Sequence, residues 1–278
     1  MKVYPKEVST PQMHAYLLGS VSPRPIAFVS TVDKAGRVNL SPFSFFNVFS
    51  ANPPILIFSP ARKGRDNTVK DTYLNVLEVP EAVVSIVSYD MVHQASLASA
   101  EYPRGINEFE KAGFTATPSE LVKPPRVAES PISMECRVNQ VVELGSAGGA
   151  GNLVICEVLL LHIKDEVLDE EGKIDPRKVD AVARMGGDWY CRANGDALFR
   201  LPQPANRLGI GIDRLPEAIR ASNILTGSDL ALLAGITEVP VHLRDKNFST
   251  SPEHHRKAKE LLVKGEIERA WEVLALNP

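Results

Sequence analysis

The amino-acid sequence predicts an antiparallel β-barrel with peripheral helices, followed by a separate helical appendage. Three observations predict this architecture. Short β-type runs dominate from Ser22 to about Leu201, the helical stretches are too few and too irregular for a βαβ repeat, and only short amphipathic helices follow. We therefore expect two domains, a mainly β domain over residues 1–204 and a helical C-terminal extension over residues 205–278.

Each predicted strand is a short apolar or β-branched run that ends in a cluster of Gly, Pro, Asn or Asp. The runs cover residues 26–32, 38–40, 55–59, 82–88, 132–144 and 153–163. Between the first two, Gly36 is free to adopt a positive φ, which favours a tight hairpin turn. The glycine-rich residues 145–151 predict a flexible hairpin loop, because they lack the helix and the Lys-Ser/Thr ending of a P-loop.

Capping-type residues open or precede the predicted helices of the β domain, which cover residues 66–79, 91–100, 106–112 and 176–183. Those of the extension cover residues 215–221, 228–234, 251–264 and 266–276. Ser251 and Pro252 are a typical N-cap and first helical position, and Gly265 separates the last two helices into a hairpin. A single hairpin of this kind needs another surface on which to pack.

Composition and charge exclude several classes of function. The chain is 44% hydrophobic with a net charge of -3, and its cations are spread along the sequence, so no attraction for nucleic acid is expected. No run approaches the ~18 apolar residues of a membrane span, and the first residues hold no apolar signal core. We therefore expect a cytoplasmic protein that does not bind membranes.

The cysteines and histidines indicate neither disulfides nor a metal site. The three cysteines have no CxxC spacing and an odd number, and Cys136 and Cys156 lie in apolar runs typical of buried thiols. The six histidines show no HxxxH or HExxH spacing. No metal is therefore expected.

Two segments place polar groups beside predicted strands near the N-terminus. In residues 22–31, Arg24 stands between two prolines, where it is either an anion ligand or a surface arginine at a strand start. In residues 39–47, hydroxyls alternate with aromatic side chains as Ser41, Pro42, Phe43 and Ser44. This pattern suits either a flat heteroaromatic ring or the buried end of a strand.

Two further segments combine cations, hydroxyls and glycines. Residues 59–68 place Arg62, Lys63 and Thr68 between a strand end and a predicted helix start, which suits a phosphate, although Asp66 or Asn67 acting only as an N-cap is the alternative. Residues 183–192 hold a Gly-Gly pair that allows close approach to a ligand, or forms a simple turn.

These segments together resemble the flavin reductase-like family of FMN-binding split-barrel proteins, which includes flavoredoxin and reductase components of two-component monooxygenases. The resemblance runs from about Leu18 to Pro204. It rests on matches in their family order at residues 22–31, 39–47, 70–75, 102–113, 123–131, 174–176 and 184–192. The residues around 93–100 depart from the usual family pattern, having Ala98-Ser99-Ala100 before Tyr102.

The resemblance implies a homodimer with FMN near the subunit boundary. Residues 41–44 would line the flavin ring, and Ser59, Lys63, Asp66 and Thr68 would hold the ribityl-phosphate end, with Arg24 and Arg62 as further phosphate or ring-edge ligands. Arg184, Gly186, Gly187 and Tyr190 would close the site, from the same or the other subunit. No catalytic side chain is then expected, because the flavin itself carries the hydride.

The function implied is that of an oxidoreductase that takes hydride from NADH or NADPH and passes electrons to free flavin or a partner oxygenase. Two alternatives stay open. One is a flavoredoxin-like electron carrier that serves a protein partner, and the other is a non-catalytic dimeric flavin-binding or interaction module. The absence of GxGxxG does not decide between them, since family reductases need no separate nicotinamide motif.

Overall fold

The computed structural model describes residues 1–201, 208–244 and 246–276. The chain divides into two compact units, Met1–Phe199 and Arg200–Pro278. The domain boundary predicted at residue 204 lies outside the described residues. No helix of the described ranges is long and apolar enough to cross a membrane.

The first unit is built on an antiparallel sheet. Its strands are β1 (Arg24–Pro25), β2 (Ala27–Val32), β3 (Val38–Phe43), β4 (Phe46–Ala51), β5 (Pro54–Phe58), β6 (Glu81–Ile86), β7 (Ala116–Thr117), β8 (Arg126–Val127), β9 (Ile132–Glu143), β10 (Asn152–Ile163), β11 (Val182–Arg184) and β12 (Tyr190–Arg192). Seven of them form one sheet in the order β3-β2-β6-β9-β10-β5-β4, and β1-β11-β12 and β7-β8 form two small sheets. All six predicted strands are confirmed as members of the large sheet.

The two predicted hairpins join neighbouring strands of this sheet. Gly36 has a φ of 78° in the turn between β2 and β3, where a β-carbon would be strained. Residues 145–151 connect β9 to β10, whose paired residues run from Asn152 opposite Glu143 to Ile163 opposite Ile132. Strand β4, which the sequence pattern did not indicate, pairs with β5 and forms one edge of the sheet.

Both edges of the large sheet pack on the same apolar core, so the sheet curls into a barrel. Phe43 of β3 and Phe58 of β5 have ring centroids 5.5 Å apart, although their strands stand near opposite edges. Cys136 and Cys156 are fully buried in this core, and burial raises the pKa of the Cys136 thiol to about 12. The prediction of buried, unpaired thiols is confirmed for both.

The helices of the first unit are α1 (Thr10–Ser20), α2 (Asp71–Glu78), α3 (Val92–Leu97), α4 (Glu108–Ala112) and α5 (Pro176–Val179). Two predicted helix boundaries were wrong by four or five residues, and the backbone conformation explains both. The helix predicted from residue 66 begins at Asp71, because Asn67 has a left-handed φ of 61°. The helix predicted to residue 183 ends at Val179, because Asp180 is left-handed and the chain then pairs as β11.

Helix α1 was not predicted, although its N-terminus carries a clear signal. Ser9 accepts a hydrogen bond from the Gln12 amide, and the Gln12 side chain accepts from the Ser9 amide, which completes a capping box. None of its eleven residues is buried, and Tyr16 and Leu17 are exposed on its surface. A short helix gains most of its stability from packing, so the exposed face of α1 suits a further partner surface.

The second unit is helical and has a core of its own. Its helices are α6 (Glu217–Arg220), α7 (Gly227–Ala234), α8 (Pro252–Val263) and α9 (Ile267–Leu274). The predicted hairpin is confirmed, since Gly265 separates α8 from α9. Trp271 is fully buried at the centre, donates its indole N–H to the Leu233 carbonyl at 3.3 Å and packs edge-on against Phe248.

Candidate functional site

Two adjoining cavities lie beside β3 in the first unit. The first cavity, of 230 Å³, is lined mostly by polar and charged residues, namely Asn39, Ser41, Lys63, Arg104, Glu108 and residues 68–72 and 98–102. The second cavity, of 110 Å³, is lined by Ile26, Pro42, Ser44, Val87, Val92, Ala95, Ser96, Ser99, Arg184 and Tyr190. Ser99 lines both, and the consecutive residues Ser41 and Pro42 line one each. The two cavities therefore adjoin as a polar part and a more apolar part.

Lys63 and Thr68 reach the first cavity from a loop that closes on itself. The Lys63 amide donates to the Thr68 carbonyl at 2.8 Å, and the Asn67 amide donates to the Lys63 carbonyl at 2.9 Å. Asp66 accepts hydrogen bonds from the Thr68 amide and hydroxyl, and these bonds lower the pKa of Asp66 to about 2. Asp66 thus positions Thr68, and its negative charge makes it a poor phosphate ligand.

The glycine-rich hairpin 145–151 supports this loop from behind. The Arg62 amide donates to the Ala150 carbonyl at 2.8 Å, and the Gly149 amide donates to the Arg62 carbonyl at 3.0 Å. A β-carbon on Gly148 would lie 3.0 Å from the Lys63 carbonyl oxygen, so only glycine allows this approach. The sequence showed the glycines but not the segment against which they pack.

The N-terminus of α2 also opens on the first cavity, since residues 69–72 line its wall. Lys70 is the N-cap residue, and its side chain makes no capping hydrogen bond to the first amides of the helix. Uncapped amides at a helix N-terminus carry partial positive charge and suit an anion. The helix start that was predicted at residue 66, next to the cations of residues 62–65, is therefore found five residues further along the chain, at Asp71.

In the second cavity, Arg184 and Tyr190 face each other across the β11–β12 hairpin. The Arg184 guanidinium lies 4.7 Å from the centre of the Tyr190 ring and donates to its hydroxyl at 2.8 Å. It also donates to the Gly187 carbonyl at 2.9 Å, within the turn that holds the Gly186-Gly187 pair. A β-carbon on Gly186 would lie 3.1 Å from the Cα of Gly19, so this turn packs closely on the end of α1.

Arg24 has a structural role rather than a place in either cavity. Its guanidinium donates to the carbonyls of Leu18, Val21 and Met185, so it ties the C-terminal end of α1 to the β11–β12 turn. It is 5% exposed, and burial followed by the charge of Arg184 lowers its pKa. The interpretation of Arg24 as a surface arginine was wrong, because these carbonyls hold it in the interior.

Three other predicted ligands lie behind the cavity walls. Arg62 donates to the side-chain and main-chain oxygens of Asn67, which stiffens the loop from outside. Ser59 is buried where a β-carbon on Gly151 would meet its hydroxyl at 2.8 Å. The Phe43 side chain points into the barrel core against Phe58 and lines neither cavity. Of the fourteen predicted residues, the cavity walls include Ser41, Lys63, Thr68, Pro42, Ser44, Arg184 and Tyr190.

Sequence reasoning missed residues that reach the first cavity from distant segments. Ser99 and Glu101 follow α3, Arg104 lies on the next turn, and Glu108 opens α4. Glu108 is 7% exposed and accepts a hydrogen bond from the Leu40 amide at 2.9 Å; burial raises its pKa. In the described residues, no group of three or more His, Cys, Asp or Glu could hold a metal ion.

Known proteins are similar to the first unit in sequence and in fold. The family model of the flavin reductase like domain matches residues 18–179. An uncharacterised protein of Aquifex aeolicus (strain VF5) is 37% identical over 201 residues, which cover 72% of this chain and all of that protein.

Two solved structures extend the comparison. Nitrilotriacetate monooxygenase component B from Bacillus cereus is 32% identical, with a TM-score of 0.67 over 72% of this chain and 98% of that one. A split-barrel protein from Shewanella frigidimarina NCIMB 400 is 25% identical, with a TM-score of 0.62 over 73% of this chain and 99% of that one. The barrel of the first unit is thus a split barrel.

Proposed function

The chain belongs to the flavin reductase-like family of flavin oxidoreductases, and we propose that it binds FMN in the two adjoining cavities and accepts hydride from NADH or NADPH. The observation that carries this proposal is the division of the site into a polar part and a more apolar part. FMN is divided in the same way, with a phosphate at one end and a flat ring at the other. The combined volume of the two cavities lies just above the lower limit of ~300 Å³ for a small-molecule site.

The donor set of the first cavity fits a phosphate. Lys63, Lys70 and Arg104 supply positive charge, and the uncapped start of α2 supplies amides. The Thr68 hydroxyl donates to a phosphate once it turns away from the Asp66 carboxylate, to which it donates in the flavin-free protein. The site therefore combines full charges with oriented dipoles. Lys63 and Thr68 would hold the phosphate of FMN, and Ser41 would lie between the phosphate and the ring.

The second cavity fits the ring. Pro42 and the apolar side chains Ile26, Val87 and Val92 give it flat contact surfaces, and the Ser44 hydroxyl can satisfy a polar ring edge. Bound there, the flavin supplies the hydride acceptor, and the protein supplies position and electrostatics.

Arg184 would provide the main electrostatic contribution at the ring. Its hydrogen bonds go to the Tyr190 hydroxyl and the Gly187 carbonyl, which are both neutral. The charges of Arg24 and Arg184 repel each other, and the three acceptors of Arg24 are also neutral carbonyls. Two neighbouring positive charges held by neutral acceptors favour negative charge beside the second cavity.

The electron donor is tested by anaerobic titration of the FMN-loaded protein with NADH and, separately, with NADPH. We expect rapid loss of the yellow flavin absorbance with one of the two. Bleaching by neither, with reduction only through a protein partner, would select the electron-carrier alternative. Component B of nitrilotriacetate monooxygenase is a relative at 32% identity, so we propose an oxygenase as the acceptor to be tested first.

We also propose that the protein acts as a homodimer through the surface formed by α1 and β4. On the edge strand β4, Val48 and Phe49 are 65% and 63% exposed. His14 of α1 packs on Phe45 beside that strand, so the unpartnered helix and the exposed strand form one surface. An exposed apolar edge strand offers unpaired main-chain groups to another chain, and an exposed apolar patch is typical of an interaction surface.

The cytoplasm is the compartment that we propose for this dimer. The three cysteines are all free, and a reducing compartment keeps thiols in that state.

A further inference from the structure

Glu101 lines the first cavity and forms ion pairs with Lys63 of the same cavity and with Arg65 of the loop that presents Lys63. Its Oε2 atom lies 3.5 Å from the Lys63 ammonium nitrogen and accepts a hydrogen bond from the Arg65 guanidinium. Although partial desolvation raises it, the hydrogen bond and charge of Arg65, with Lys63 next, hold the pKa of Glu101 below its ordinary value. The carboxylate is therefore ionised at neutral pH and stands where an anionic ligand would compete with it.

The first cavity as a whole carries no excess of positive charge. Its walls hold the cations Lys63, Lys70 and Arg104, and the carboxyl groups of Asp71, Glu101 and Glu108. Of these carboxylates, Glu101 is the one paired with Lys63. A phosphate that enters must therefore take Lys63 from Glu101 and accept the nearby negative charge of that carboxylate.

Given the proposed function, on which this inference rests, we propose that Glu101 is a built-in competitor for the phosphate of FMN. Lys63 pairs with Glu101 in the flavin-free protein and with the phosphate in the loaded one. Because Lys63 must leave Glu101 to bind the phosphate, the affinity for FMN is lower and the release of FMN is faster than without Glu101. A flavin that exchanges readily suits a reductase that hands reduced flavin to another protein, whereas a carrier needs firm retention.

The size of the effect follows from the position of the pair. Lys63 is 23% exposed and Glu101 is 40% exposed, so solvent screens their attraction and the competition is moderate. Removing the carboxylate charge also removes its repulsion of a doubly charged phosphate. We expect about a tenfold gain in FMN affinity, which corresponds to ~1.4 kcal/mol.

The test compares flavin binding by the wild type and Glu101→Gln, with FMN and with riboflavin, which lacks the phosphate. Glutamine keeps an oxygen acceptor for Arg65, so the loop retains its anchor. Glu171→Gln is the matched control, since Glu171 also pairs with a lysine on the surface but far along the chain from this cavity. Fluorescence titration gives the affinity, and stopped-flow dilution gives the rate of release.

We expect Glu101→Gln to bind FMN about tenfold more tightly and to release it more slowly, with riboflavin affinity unchanged within twofold and Glu171→Gln equal to the wild type. In a Lys63→Ala background the gain from Glu101→Gln should shrink. Equal or weaker FMN binding by Glu101→Gln, with wild-type binding intact, would overturn this inference alone. No FMN binding by the wild type would overturn the proposed function as well.

Discussion

The double variant Lys63→Ala/Thr68→Ala is expected to bind FMN at least about a hundredfold more weakly than the wild type. Both side chains line the polar part of the site, and the main-chain hydrogen bonds that close the loop between them remain when the side chains are removed. Hydrogen bonds to a charged group contribute about 1.5–3 kcal/mol each. The loss of two such bonds therefore lowers the affinity by two or more orders of magnitude.

Isothermal titration with FMN measures this loss, and riboflavin shows whether it depends on the phosphate. Lys173→Ala removes a lysine of the exposed turn near residue 172 and is the charge-matched control. Its FMN affinity should equal that of the wild type. If the double variant bound FMN as tightly as this control, the phosphate would not lie at Lys63 and Thr68.

The second large effect is expected on assembly. The variant Val48→Asp/Phe49→Asp should be a folded monomer at concentrations at which the wild type is a dimer. Both side chains are exposed on the edge strand β4, so the substitutions leave the core of the barrel intact. In a dimer they would bury two carboxylates without partners, which costs several kcal/mol.

Light scattering coupled to size-exclusion chromatography distinguishes the two states, since one chain has a mass of 30.4 kDa. Val263→Asp introduces one aspartate at an exposed valine of the second unit and should leave the dimer unchanged. A monomeric wild type at micromolar concentration would contradict the proposed dimer. A variant that stayed dimeric would place the interface elsewhere.

The sequence predicted the strands well because most are continuous apolar or β-branched runs, and because glycine, proline, Asn or Asp residues mark where the runs end. Residues 132–144 end before Gly145 and residues 153–163 begin shortly after Gly151, and they form β9 and β10 almost residue for residue. Strand β4 escaped because its apolar residues Val48 and Phe49 face outward and do not report on the barrel core. Patterns of burial within one chain do not reveal surfaces that another molecule covers.

The site was predicted less completely for two physical reasons. On one face of β3 Phe43 follows the polar Asn39 and Ser41, so the sequence did not show that Phe43 turns into the core while its neighbours Pro42 and Ser44 line a cavity. Glu101 and Arg104 reach the first cavity through the path of the chain after α3, which no local pattern encodes. Lys63 and Thr68, in contrast, were predicted from their own chemistry, and both line the first cavity.

A fluorescence titration of the flavin-free wild-type protein with FMN tests the proposed flavin site most directly. We expect saturable binding at one FMN per chain, and riboflavin should bind more weakly because it lacks the phosphate. A titration without any saturable component would contradict the assignment of the two cavities as a flavin site.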